Sequence, residues 1–316
     1  MATLSDVAKR ANVSKMTVSR VINHPETVTD ELKELVHSAM KELNYIPNYA
    51  ARALVQNRTQ VVKLLILEEM DTTEPYYMNL LTGISRELDR HHYALQLVTR
   101  KSLNIGQCDG IIATGLRRAD YEGLIKAFEK PVVVFGQNEM GYDFIDVNNE
   151  KGAFMATRHV IGLGARDVVF FGIDLDEPFE RSREKGYLEA MKGCSGQANI
   201  VRMENSSKKA ERCAREVLPA LGSPAAVVCA SDRIAIGVIR AVQALGKRIP
   251  EDVLVTGFDG VFLDRISSPR LTTVRQPVVE MGEACAATLL KKINEDGAVQ
   301  GNQFFEPELI VRESTL

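Results

Sequence analysis

The stretch Thr3-Leu4-Ser5-Asp6-Val7-Ala8-Lys9-Arg10-Ala11-Asn12-Val13-Ser14-Lys15-Met16-Thr17-Val18-Ser19-Arg20-Val21-Ile22-Asn23 reads as two short helices joined by a tight turn. Thr3 followed three residues later by Asp6 has the spacing of a capping box, and Leu4, Val7, Ala8 and Ala11 form one apolar face behind it. Asn12 tolerates the left-handed backbone that a turn needs, and Ser14 is placed to cap a second helix carrying Met16, Val18, Val21 and Ile22. The spacing predicts a helix-turn-helix. A third helix is expected after Thr29, with Asp30 and Glu31 at its positive end and Leu32, Leu35, Val36, Ala39, Met40 and Leu43 covering the other two. In such a unit the second helix enters the major groove of DNA, so Lys15, Met16, Ser19 and Arg20 become candidates for touching base edges. A small protein-docking bundle with solvated lysines is the alternative that this segment alone leaves open.

Working outward, Tyr45-Ile46-Pro47-Asn48 ends the third helix, because the residue before proline avoids the helical region. Asn48 can cap a further two-turn helix through Ala51, Leu54 and Val55. A helix that short is marginal alone in water, so it is expected to form against DNA and its copy in a partner subunit, with Leu54 as a minor-groove wedge.

From Val61 onward apolar runs alternate with helical stretches: VVKLLIL, YALQLV, GIIAT, VVVFG, DVVFFG, AVVCAS and DVLVTGFD. This alternation implies parallel sheets covered by helices on both faces, and with roughly ten strands available two doubly wound sheets fit better than one. Ligands in such folds bind beyond the carboxyl ends of strands. Pro75-Tyr76-Tyr77 offers aromatic faces, the Glu177 to Arg183 loop offers the Arg183 fork, and Ser231 and Asp259 end two strands. Aromatic, arginine and carboxylate together suit a neutral carbohydrate. Asp232 is read as a helix cap, a structural residue.

The runs Thr3-Leu4-Ser5-Asp6-Val7-Ala8, Val13-Ser14, Thr17 to Asn23, Leu43 to Asn48 and Ala53-Leu54 closely resemble the headpiece and hinge of the LacI/GalR family. The resemblance extends through the core to LTTVRQP and the final GNQFFEPELIVRESTL, and within the family the chain looks most like maltose or maltodextrin-utilisation regulators. It implies an α helix-turn-helix headpiece plus an α/β two-lobed periplasmic-binding-protein-like core. The implied organisation is a headpiece at 1–47, a hinge at 48–60, a first lobe at 61–147 plus 277–304, and a second lobe at 148–276 plus 305–316. Lys15, Met16 and Arg20 then hold operator-reading positions and Leu54 the wedging one, within a DNA-contacting set that adds Thr3, Ser14, Thr17, Ser19, Asn23, Asn48, Ala51 and Val55. Arg183, Ser231 and Asp259 hold effector positions, with Tyr76 and Tyr77 in the facing first-lobe loop. The implied mechanism is a homodimer on a pseudo-palindromic operator, whose lobe angle, and hence hinge spacing, is set by a small-molecule effector. Release from DNA by a sugar is the expected direction, and co-repression is the alternative.

Composition and charge agree with this picture and exclude others. At 316 residues, 45% hydrophobic and 26% charged, the chain is long enough for two or three packed units and is not of disordered type. Positions 1–60 hold eight basic and six acidic residues, a balance of +2, so the remainder carries −5 of the overall −3. The start MATLSDVAKR has no signal-peptide pattern and no apolar run is of membrane-spanning length, so a cytoplasmic protein is expected, unlike a sugar-transport protein of the same core fold. Cys108, Cys194, Cys213, Cys229 and Cys285 have no C-x-x-C spacing and read as reduced core thiols. There is no phosphate-binding GxxxxGK[ST] loop, Gly162-Leu163-Gly164 lacks the third glycine of a dinucleotide site, and no G-x-S-x-G elbow occurs. His24, His37, His91, His92 and His159 lack metal-ligand spacing. Neither catalysis, cofactor nor metal is expected.

Overall fold

The computed structural model describes residues 2–23, 27–45, 58–68, 75–102, 105–194 and 197–316. It divides into two compact units, 1–59 and 60–316.

The first unit holds α1 (Leu4–Arg10), α2 (Lys15–Asn23) and α3 (Asp30–Glu42). The capping box forms as its spacing requires: the Asp6 amide donates to Thr3 Oγ1 at 3.3 Å and the Thr3 amide to Asp6 Oδ2 at 2.8 Å. Asn12 takes the left-handed conformation at φ 52°, and the Thr17 amide donates to Ser14 Oγ at 3.0 Å. Val7, Ala8, Ala11, Val18, Val21, Val36 and Ala39 make the core. Leu35, expected in that stripe, is 52% exposed, because Val36, Ala39 and Met40 are the residues beside it that turn toward the core.

The second unit contains two six-stranded sheets. In chain order the strands are β1 (Val61–Ile66), β2 (Ala94–Thr99), β3 (Gly110–Thr114), β4 (Val132–Phe135), β5 (Phe144–Val147), β6 (Asp167–Ile173), β7 (Asn199–Met203), β8 (Ala225–Cys229), β9 (Val253–Asp259), β10 (Thr272–Arg275), β11 (Gln303–Phe305) and β12 (Glu308–Ile310). One sheet runs β11-β5-β4-β3-β1-β2 and the other β12-β10-β9-β8-β6-β7. All pairings are parallel except β10 with β12. The order reverses between β1 and β3 and again between β6 and β8, the two switch points at which doubly wound sheets open a crevice. β1, β3, β4, β6, β8 and β9 are buried almost throughout, as strands covered on both faces must be.

The covering helices are α4 (Tyr76–Arg90), α5 (Asn149–Gly162), α6 (Pro178–Met191), α7 (Ser207–Val217), α8 (Asp232–Ala244) and α9 (Val278–Asn294). The chain passes from one sheet to the other three times: between β5 and α5, between β10 and α9, and between β11 and β12. Cys108, Cys229 and Cys285 are buried, and all five thiols are free. No described helix is long and apolar enough to cross a membrane.

Candidate functional site

Two regions gather the residues singled out from the sequence. In the first unit, Thr3, Ser14, Lys15, Met16 and Arg20 are exposed while Thr17 and Ser19 are half-buried, so α2 presents a polar ridge with Met16 at 65% exposure. Val18 and Val21, on the opposite side of the same helix, hold it to the core. An unbranched thioether left in water on such a ridge is suited to an apolar surface such as a thymine methyl. Asn48, Ala51, Leu54 and Val55 lie outside the described residues, as does the side chain of Asn23.

In the second unit a cavity of about 790 Å³ opens where the carboxyl ends of both sheets face each other. Tyr76, Tyr77, Arg183, Ser231 and Asp259 all line it, brought together from positions up to 183 residues apart. Tyr76 meets Tyr77 edge-to-face at 5.6 Å and Phe135 at 6.3 Å between ring centres. Its hydroxyl reaches Gln276 Oε1 at 3.4 Å, and Gln276 Nε2 donates to Asp259 Oδ1 at 2.8 Å. Burial, with Asp259 and Asp146 nearby, pushes the Tyr76 phenol well above its ordinary value, so it stays a proton donor.

The sequence reading put Arg183 in a loop. Instead it sits in the second turn of α6, because Pro178 is preset for the first turn of a helix and Glu177 has the extended backbone of a cap residue. There its guanidinium lies 3.8 Å over the Phe258 ring, with Nε donating to Asn149 Oδ1 at 2.8 Å and Nη1 to the Ala230 carbonyl at 2.6 Å. The cap reading of Asp232 is also corrected. Ser231 is the cap of α8, accepting from the Ile234 amide at 3.2 Å and donating to Asn205 Oδ1 at 2.7 Å. Asp232 lies inside the first turn, where it accepts from the Gly260 amide at 2.9 Å and the Thr273 hydroxyl at 2.5 Å. A cap needs a non-helical backbone, and Ser231 has it at φ −150° and ψ 159°.

Sequence reasoning missed several wall residues: Asp146, Gln137, Glu204, Asn205 and Gln276. Asp146 is buried, accepting from the Gln137 amide at 2.7 Å and the Val147 amide at 2.7 Å, while burial raises its carboxyl above the ordinary range. For Asp146, Glu204, Asn205 and Gln276 the missing signal was strand position, since β5, β7 and β10 carry polar residues and escape a search for apolar runs; Gln137 follows β4, an apolar run that the sequence does show.

Behind Arg183, Glu180 is 1% exposed; its Oε1 accepts from the Ile173 amide at 2.9 Å and its Oε2 has no partner among the described residues. Burial pushes its carboxyl up to about 7, with Arg183 pulling the other way. A carboxyl raised on folding holds its proton longer in the folded chain, so its stabilising contribution is present below the unfolded value and lost as pH rises through about 7. Urea unfolding of the native protein is therefore expected to lose ~3 kcal/mol between pH 4.5 and 7 relative to Glu180→Gln. Parallel pH profiles for the two proteins would show that Glu180 is not the group responsible.

Residues 3–48 match the model for bacterial regulatory proteins of the lacI family, and residues 157–315 match the periplasmic binding protein-like domain. An uncharacterized HTH-type transcriptional regulator of Bacillus subtilis, YvdE, is 84% identical over the whole of both chains. The chain belongs to the lacI family of bacterial regulatory proteins. The ribose operon repressor of Haemophilus influenzae is 31% identical, covering 99% of this chain and 98% of its own. Among solved structures, the CelR–cellobiose complex has TM-score 0.74 at 28% identity, covering 99% of this chain and 100% of CelR. The lac repressor dimer bound to operator has TM-score 0.73 at 24% identity over 100% and 99% of the two chains, a likeness of fold. This regulator thus carries a lacI-type helix-turn-helix before a two-lobed binding core; it is a DNA-binding transcriptional regulator and not an enzyme.

Proposed function

We propose that the protein represses carbohydrate-utilisation genes as a cytoplasmic homodimer on a pseudo-palindromic operator, and that a neutral sugar of disaccharide size or larger, maltose or a maltodextrin by overall resemblance, releases it. The observation that carries the sugar reading is the cavity wall. Its volume of about 790 Å³ is within the range of small-molecule sites, and it pairs the aromatic faces of Tyr76, Tyr77 and Phe179 with the hydrogen-bonding groups of Asp146, Arg183, Asn205, Asp259 and Gln276. Sugar rings present an apolar C–H face and a polar hydroxyl edge, which this lining complements. Carboxylates outnumber arginines on the wall, six (Glu68, Asp146, Asp174, Glu177, Glu204, Asp259) against three (Arg117, Arg183, Arg233), so a phosphorylated ligand would meet net repulsion. CelR, similar over its whole length, carries a disaccharide, cellobiose, in its complex.

On DNA, Lys15, Met16 and Arg20 are the proposed base readers; Thr3, Ser14, Thr17, Ser19 and Asn23 support them, and Asn48, Ala51, Leu54 and Val55 act at the hinge. Selection of operators from random DNA by the full-length protein, repeated with maltose, maltotriose and unrelated sugars, tests the whole reading. A palindrome released by one sugar supports it; a palindrome that no sugar releases removes the effector reading, and no palindrome at moderate salt points to a protein-docking head. On the selected operator, Arg20→Ala is expected to weaken binding by about 1–3 kcal/mol and relax preference at one base pair per half-site, measured by gel shift.

A further inference from the structure

Across the cavity mouth the first turn of α6 touches the first lobe at three points. Arg117 Nη1 lies 3.1 Å from Glu177 Oε1, Arg181 Nη2 donates to Glu139 Oε1 at 2.7 Å, and Ser182 Oγ donates to Gln137 Oε1 at 3.5 Å. The first-lobe residues follow β3 and β4; the second-lobe residues, Glu177, Arg181 and Ser182, all belong to one helix end. None of these residues belongs to the three chain crossings between the sheets, so the seam is held by side chains alone.

The first-lobe side of the seam is anchored. The Arg117 amide donates to Asp120 Oδ2 at 2.8 Å, and Asp120 is gripped by both terminal nitrogens of Arg100, each at 2.8 Å. Arg100 Nε in turn donates to the Leu67 carbonyl at 2.8 Å, tying this turn to the end of β1. On the other side Glu177 is the cap residue of α6, where the helix dipole favours its negative charge. Glu177 is also a wall residue of the cavity, as are Arg117 and Gln137. The same groups therefore close the mouth and face whatever enters it.

We infer that the first turn of α6 is a latch: Glu177, Arg181 and Ser182 clasp Arg117, Glu139 and Gln137, hold the lobes in the arrangement described, and part when the cavity opens. This rests on the effector reading only in taking the cavity as the site that opens. Arg181 and Glu139 are 42% and 68% exposed and Arg117 is 37% exposed, so the latch is wetted and screened by salt. Any one tie is weak; three from one helix end act together because the turn moves as a unit.

The test is amide hydrogen exchange on the full-length protein without sugar, following segments 134–140 and 174–183 with the buried strand 225–229 as internal reference. The latch expects Glu177→Gln and Arg117→Met each to speed exchange in both segments by about two- to three-fold, with the double variant little faster than either, as coupled partners require. In the native protein, salt at about 1 M should reproduce the acceleration, since screening then acts within about 3 Å. Unchanged protection in the variants together with no salt response in the native protein overturns the latch. So does acceleration confined to the mutated segment, because that is local fraying. No sugar is present in this experiment, so it stands apart from the effector reading, which a maltose titration tests separately.

Discussion

Arg183→Met is expected to weaken effector binding by about 100-fold while leaving operator affinity in the absence of sugar unchanged, giving a repressor that no longer releases. Methionine keeps the apolar stem that lies against Phe258 but removes every donor. Asn149 Oδ1 and the Ala230 carbonyl then lose their partners, and the carboxyl of Asp146 loses the arginine charge that counters its burial. Leaving those buried acceptors unpaired lowers stability by about 1–3 kcal/mol each whether or not sugar is bound, whereas the loss of affinity is that of the charged donor Arg183 would offer a sugar hydroxyl, about 1.5–3 kcal/mol. Lysine is not expected to rescue, since one ammonium cannot serve Asn149, Ala230 and a ligand from a planar fork over an aromatic ring. Calorimetric titration with the sugar found by operator release, beside a gel shift, separates the two effects. Native sugar affinity in Arg183→Met would remove Arg183 from the site.

The second large effect concerns stability and has a sign opposite to helix propensity. Gly83 lies inside α4, where alanine would ordinarily be favoured by about 1 kcal/mol. Here a Cβ at Gly83 would stand 2.0 Å from the Val279 carbonyl oxygen of α9, and a Cβ at the facing Gly282 would stand 2.7 Å from the Leu80 carbonyl oxygen. Both obstacles are backbone, which cannot turn aside as a side chain can. Gly83→Ala should therefore destabilise the core by about 3 kcal/mol in urea unfolding, the upper end of ordinary overpacking. Gly162→Ala is the matching control: nothing lies within 4 Å of its Cβ position, and it should be neutral or stabilising by up to about 1 kcal/mol. Equal effects at the two positions would mean that the α4–α9 approach is looser than described. The device recurs, with Gly186 of α6 against the Glu150 carbonyl and Gly237 of α8 against the Ser207 carbonyl at 2.1 and 2.3 Å.

Much of this architecture was legible residue by residue. Thr3 with Asp6, Asn12 and Ser14 announced two helices and their turn, because capping and left-handed backbone are decided within three or four neighbours. The apolar runs announced β1, β3, β4, β6, β8 and β9, since strands covered on both faces have no polar side to disguise them. β11 and β12, three residues each at the sheet margins, and the polar β7 gave no such signal. Five candidate wall residues were found because strand ends are where doubly wound sheets bind ligands.

What those residues do there was not legible. Arg183 takes its partners from Asn149 and Ala230, Tyr76 reaches Gln276 across 200 positions, and Ser231 rather than Asp232 caps its helix. Gly83 reads as a weak helix residue until α9 is laid against it. Sequence by itself determined the local conformations and the fold class, whose causes are short-range: backbone sterics, capping and hydrophobic period. The tertiary structure decided which polar groups meet, how closely helices approach and where the lobes touch, because hydrogen bonds and van der Waals contacts act over a few ångströms between atoms that only the folded chain brings together.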